Sequence, residues 1–171
     1  MNRVEENIQE CGTQQSGPVL LFVCTGNTCR SPMAAAVYNA VYASRDGSRA
    51  FSAGLAADGS PISRHAAAAL SDAGIVSCGE NSYMWHTSHT VTETDLEKAD
   101  MVIGITGRHA MELLLSYPAY AGKITALPMD ITDPFLGDMA VYRECLQKIC
   151  EALAIMFDEK DPTSIGEQGT V

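Results

Sequence analysis

Cys24 and Arg30 stand six positions apart, a spacing that lets a tight loop fold around one anion. The cysteine offers a thiolate nucleophile. The arginine offers a planar fork that can hold two phosphate oxygens. Between them, Gly26 and Asn27 tolerate left-handed backbone. Successive N–H groups of residues 25–31 would then form a concave nest. Cys24 would lie at its base, in a field that favours a thiolate. The Gly-x-x-x-x-Gly-Lys-Ser/Thr pattern of nucleotide-binding loops is absent. The expected chemistry is therefore attack by Cys24 on the held anion, rather than retention alone.

The flanking sequence supplies the elements that must position this loop. Residues 19–23 are apolar and partly β-branched, which suits a strand buried on both faces. Ser31 is expected to cap the next helix, with Pro32 as its first residue. Met33, Val37 and Val41 recur there at helical spacing, and Ala34, Ala35 and Ala36 are strong helix formers. A helix start adds partial positive charge to the anion site.

Further strands are expected at 50–53, 101–105 and 123–127. Helices are expected at 61–73, 92–98, 108–117 and 139–157. Thr92 is the expected cap of the second of these, and Gly74 ends the first. Residues 44–48 read as a polar turn and 78–89 as irregular. A loop at 129–138 carries Asp130, Asp133 and Asp138, of which Asp130 and Asp138 are expected to be solvated carboxylates. Polar stretches at 1–17 and 159–171 read as disordered tails around one domain at 18–158. Strands alternating with helices predict an α/β fold with a parallel sheet and right-handed crossovers. Ligands of such sheets bind at the carboxyl ends of strands, where Cys24 falls.

Composition limits the partners. The 171 residues carry a formal net charge of −10, which argues against nucleic acid. No apolar run reaches membrane-spanning length. Residues 1–17 lack the apolar core of a signal peptide, so the expected location is cytoplasmic, with no membrane partner. The six cysteines are spread through the chain and are expected to be free thiols. Cys145 and Cys150 lie five apart on a predicted helix and do not share a face. His86 and His89 have no third ligand near them in sequence, so no metal and no cofactor is expected. His65 and His109 read as surface residues.

The string Cys-Thr-Gly-Asn-Thr-Cys-Arg-Ser-Pro, residues 24–32, closely resembles the signature loop of low-molecular-weight protein tyrosine phosphatases. The resemblance covers roughly 19–157 and implies a four-stranded, Rossmann-like three-layer sandwich. It implies a metal-free enzyme that transfers a phosphoryl group from a protein to Cys24 and then to water. Cys24, Thr25, Gly26, Asn27, Thr28, Cys29, Arg30 and Ser31 would form the phosphate loop. Asp133-Pro134-Phe135 matches the Asp-Pro-aromatic motif that carries the family's general acid, with Phe135 lining the cleft. Ser31 would stabilise the Cys24 thiolate as a leaving group. Asn27 would hold the loop, supported by Ser52 and His86. Cys29 would pair with an oxidised Cys24 and spare it from irreversible oxidation. Thr28 matches the branch that resembles protein arginine phosphatases, whereas tyrosine phosphatases often have isoleucine there. Phosphoarginine is thus slightly favoured as substrate. A phosphotyrosine-only enzyme and an arsenate reductase are the alternatives. The stretch 106–110 lacks the redox cysteines that arsenate reduction would need.

Overall fold

The computed structural model of the chain describes residues 17–158. Apart from Gly17, both expected tails lie outside the described residues. Four strands, β1 (Val19–Cys24), β2 (Arg49–Gly54), β3 (Met101–Gly104) and β4 (Ile124–Ala126), form one parallel sheet in the order β2-β1-β3-β4. Six helices accompany it: α1 (Arg30–Val41), α2 (Ala43–Asp46), α3 (Arg64–Asp72), α4 (Glu93–Lys98), α5 (Gly107–Ser116) and α6 (Met139–Phe157).

The apolar run of β1 fits an inner strand because both faces are covered. Leu20 and Phe22 point to one side, where Met33 of α1, Leu70 of α3 and Ile149 of α6 form the larger core. Leu21 and Val23 point to the other, where they meet Leu96 of α4 and Leu113 of α5. Alternation along a single strand thus produces the three layers. No helix among the described residues is long and apolar enough to cross a membrane.

Several local expectations need correction. Helix α1 starts at Arg30, so Ser31 is inside its first turn and does not cap it; Pro32 is its third residue, two positions later than expected. The Ser31 hydroxyl is drawn instead to Asn27, Cys24 and the Ala53 carbonyl. Val41 is 45% exposed, because α1 has turned its apolar face away by then. Helix α3 begins at Arg64 rather than residue 61, since Pro61 bridges to Thr87 in extended backbone. Residues 43–46 make one helical turn where a polar turn was expected, ended by Gly47 at φ 72°. A 3-10 stretch, Pro118–Lys123, separates α5 from β4. Helix α4 forms as expected: the Thr92 side chain accepts from the Asp95 N–H, and the Asp95 carboxylate accepts from the Thr92 N–H.

The strand ends are built for close approach. A Cβ on Gly54, the last residue of β2, would sit 2.6 Å from the Thr25 carbonyl oxygen and 3.0 Å from the Asn27 Cβ. Glycine there lets the loop after β1 fold down over the neighbouring strand.

Candidate active site

Strand β1 ends at Cys24, and α1 begins six residues later at Arg30. The five residues between them curl over the carboxyl edge of the sheet. Asn27 takes the left-handed conformation at φ 58°, while Gly26 is not among the positive-φ residues. This strained turn is held from all sides. The Asn27 amide nitrogen donates to Ser31 Oγ and to Ser52 Oγ, both at 2.9 Å. Its side-chain oxygen accepts from the His89 N–H at 3.1 Å. Its carbonyl lies 2.8 Å from His86 Nε2. A carbonyl only accepts, so His86 must carry its proton on Nε2. Burial lowers the His86 pKa, and the Asn27 carbonyl partly opposes that. The structure thus brings Asn27, Ser31, Ser52 and His86 together. His89 contributes its backbone N–H to Asn27, and its ring lies 3.3 Å from Asp95.

The held turn aims donors at sulfur. The Asn27 N–H points to Cys24 Sγ at 3.3 Å, and Ser31 Oγ lies 3.0 Å from the same sulfur. Ser31 has one proton and two claimants, Cys24 and the Ala53 carbonyl at 3.3 Å. A sulfur bearing negative charge would win it, since hydrogen bonds to charged acceptors are the stronger ones. Cys24 is 2% exposed, at the base of a cleft of about 830 Å³.

Arg30 reaches the same cleft from α1. Its guanidinium donates to the Ile131 carbonyl at 3.2 Å and to Asp133 Oδ2 at 3.0 Å. The Arg30 side chain is 8% exposed and that of Asp133 52%. The Asp133 carboxylate therefore stands at the edge of water, paired with the cation that would hold the anion. The Phe135 N–H donates to its other oxygen at 3.2 Å, while the Phe135 ring is exposed at the cleft mouth. Thr28 lines the cleft with its Oγ1 3.6 Å from Cys29 Sγ. Cys29 is buried and its sulfur lies 3.3 Å from Tyr142 Oη.

One residue departs from expectation. His109 is not a surface residue: it is 4% exposed, with Nε2 3.0 Å from Thr25 Oγ1. Helix α5 starts one residue earlier than expected, so Thr106 becomes its cap and His109 falls at the position that returns a bond to it. The Thr106–His109 spacing carried that signal. Asp130 and Asp138 are exposed as expected but not free: one accepts from the Gly107 N–H at 2.9 Å, the other caps α6 through the Val141 N–H at 3.1 Å. His65 is exposed and packs on the Tyr142 ring at 5.2 Å.

Tyr142 was not singled out from sequence. It stands one turn before Leu146 on the apolar stripe of α6, and that spacing marked it as inward-facing. Its hydroxyl receives the Ser63 Oγ proton at 3.2 Å, which leaves its own proton for Cys29. Burial and the Cys29 contact push the Tyr142 pKa up to about 12. Cys145, one turn further along, is also buried, and burial pushes its thiol up to about 12.

A sulfur with two aimed donors, an arginine fork and a half-exposed carboxylate in one cleft suit nucleophilic displacement at phosphorus. The family model for low molecular weight phosphotyrosine protein phosphatase matches residues 19–168. The chain belongs to this family. It is a cysteine-dependent protein phosphatase with the four-stranded parallel sheet of its relatives. It is 33% identical over 144 residues to a protein-arginine-phosphatase of Bacillus subtilis (strain 168), covering 78% of this chain and 91% of that one. It is 30% identical over 135 residues to a probable low molecular weight protein-tyrosine-phosphatase, EpsP, of Ralstonia nicotianae, covering 76% of this chain and 87% of the relative. The solved structure of YwlE arginine phosphatase with a phosphorylated active-site serine superposes with a TM-score of 0.72 at 31% identity. That match covers 81% of the phosphatase described here and 92% of YwlE.

Proposed function

We propose that this phosphatase hydrolyses phosphoarginine in proteins, with Cys24 as nucleophile, Arg30 as anion holder and Asp133 as general acid. The observation that carries the reading is the Arg30–Asp133 pair, closed at 3.0 Å across the mouth of the cleft that holds Cys24. An incoming phosphoryl group offers Arg30 more negative oxygen than Asp133 does. It takes over the guanidinium, and the released carboxyl group meets the atom bonded to phosphorus.

Cys24 sulfur attacks phosphorus and the P–N bond breaks. Asp133 takes up a proton from water as Arg30 turns to the phosphoryl group, and gives it to the leaving guanidine nitrogen. The nest amides and Arg30 stabilise the charge on the equatorial oxygens. Water then attacks the phosphocysteine, Asp133 takes its proton, and the S–P bond breaks. Phosphate leaves, and Ser31 donates to the returning thiolate. Cytoplasmic placement belongs to the same proposal and is supported by a nucleophile that works only as a free thiol.

Thr28 supports arginine over tyrosine. Its side chain is short, and among the described residues its hydroxyl has only the neighbouring Cys29 sulfur as partner. It can orient the polar, branched guanidine, whereas isoleucine would crowd the nitrogens and offer no bond. The relatives named as arginine phosphatases support the same choice. One observation favours the phosphotyrosine reading: the exposed rings and chains of Phe135 and Leu136 at the mouth suit an apolar aryl group.

Thr28→Ile tests the choice. Activity on phosphoarginine should fall and that on phosphotyrosine should hold or rise. The expected swing is about ten-fold, roughly 1.4 kcal/mol of differential transition-state binding. Parallel losses on both substrates would remove Thr28 from selectivity.

A further inference from the structure

His109 has no part in the chemistry above, yet it is buried against the phosphate loop. Its ring joins two elements. Nδ1 lies 3.2 Å from the Thr106 backbone nitrogen and 2.9 Å from Thr106 Oγ1. Nε2 lies 3.0 Å from Thr25 Oγ1. The tautomer follows from these partners. A backbone N–H can only donate, so Nδ1 must be the acceptor and the neutral ring carries its proton on Nε2. Burial, and then the nearby Arg30, lower the His109 pKa and so keep the ring neutral. The Nε2 proton therefore goes to Thr25 Oγ1, and the Thr25 hydroxyl proton is left facing away from the histidine. Thr25 is exposed on the cleft wall and adjoins Cys24. Its carbonyl is separately fixed by the Ala56 N–H at 2.9 Å.

We propose that His109 is a positioning residue for the phosphatase reaction, which clamps Thr25 to the start of α5 and aims the Thr25 hydroxyl into the cleft. The clamp fixes the residue that follows the nucleophile from its side-chain end, as Ala56 fixes it from the backbone. Both bonds on the ring are needed. Nδ1 sets the ring by capping α5, and only a ring so set presents Nε2–H to Thr25. The inference rests on the family's phosphatase activity and is independent of which phosphorylated residue is cleaved.

The test separates the clamp from the cap. In His109→Asn, the amide oxygen stands where Nδ1 stood and still accepts from Thr106, but nothing reaches Thr25. Thr25→Val removes the other end, and Thr25→Ser restores a hydroxyl. Activity is read on phosphoarginine and on nitrophenyl phosphate, with thermal melting measured alongside. Each of His109→Asn and Thr25→Val should lower kcat by about ten-fold with little change in KM, as expected for a loosened reacting geometry. The double variant should be no worse than the poorer single one, and Thr25→Ser should recover most of the loss. Unchanged kcat in His109→Asn with a lowered melting temperature would overturn the proposal and leave His109 a helix cap. Multiplying losses in the double variant would overturn it too, since the two residues would then act separately. A wild type inert on both substrates would instead remove the phosphatase reading, and the proposal with it.

Discussion

Asp133 must serve two partners in turn. Its carboxylate pairs with Arg30, and in the proposed reaction it takes up a proton as that pair opens and serves as the acid for the leaving group. Asp133→Asn keeps the shape and loses the proton. Turnover should fall by about two to four decades, the usual range for a general acid. Substrates with good leaving groups should lose less, and equal loss across leaving groups of widely different basicity would count against the role. Cys29 belongs to the same scale. Its sulfur is held by Tyr142 Oη, so pairing with Cys24 means giving up that contact, a cost of about 1 kcal/mol. In the proposed protection, peroxide would convert the Cys24 thiolate to a sulfenic acid, and the Cys29 thiol would then displace water from it and close a disulfide. Wild-type activity lost to mild peroxide should return with a thiol reductant. In Cys29→Ala the same dose should leave activity that thiols do not restore, and full recovery there would exclude the protective role.

Elements decide how firmly the loop is held, and here two histidines, His109 buried and His86 half-buried, act as pins between segments. His86 ties the stretch before α4 to Asn27, and His109 ties α5 to Thr25. Burial lowers both pKa values below the ordinary histidine value of about 6.5. The sign of the pH effect follows. As pH falls through about 6.5, the unfolded chain takes up protons that the folded chain refuses. Stability is therefore flat above that point and declines below it, until the folded-state values are reached. The urea midpoint should drop between pH 7 and pH 5, and His86→Gln should flatten the slope. An equal slope in that variant would show that His86 does not contribute. Much at this scale was legible in sequence. The apolar run before Cys24, the Thr92 cap and the left-handed tolerance of Asn27 each left a local signature. Ser31 was misplaced because a hydroxyl beside a helix start has two uses, and tertiary partners chose between them. His109 was missed because its role depends on Thr25, 84 positions away, and local pattern carries no such distance. Tyr142 was hidden for the same reason: its stripe was visible, but its meeting with Cys29 was not.

Across the whole molecule, the net charge of −10 opposes an incoming phosphate. The cradle supplies attraction locally, where the loop amides, the start of α1 and Arg30 converge. Phosphotyrosine brings its phosphate charge uncompensated into that field. Phosphoarginine carries a guanidine group next to phosphorus, which offsets part of the charge and presents N–H groups to Asp133. The acidic surface and the Thr28 side chain therefore favour the same substrate by different means, one at long range and one by contact. The most direct test is the steady-state kcat/KM of the wild-type chain on phosphoarginine and phosphotyrosine peptides of matched sequence, measured side by side. Higher efficiency on phosphoarginine, with weaker but measurable activity on phosphotyrosine, is the expected result. Efficient hydrolysis of phosphotyrosine with none of phosphoarginine would contradict it and make the enzyme a tyrosine phosphatase.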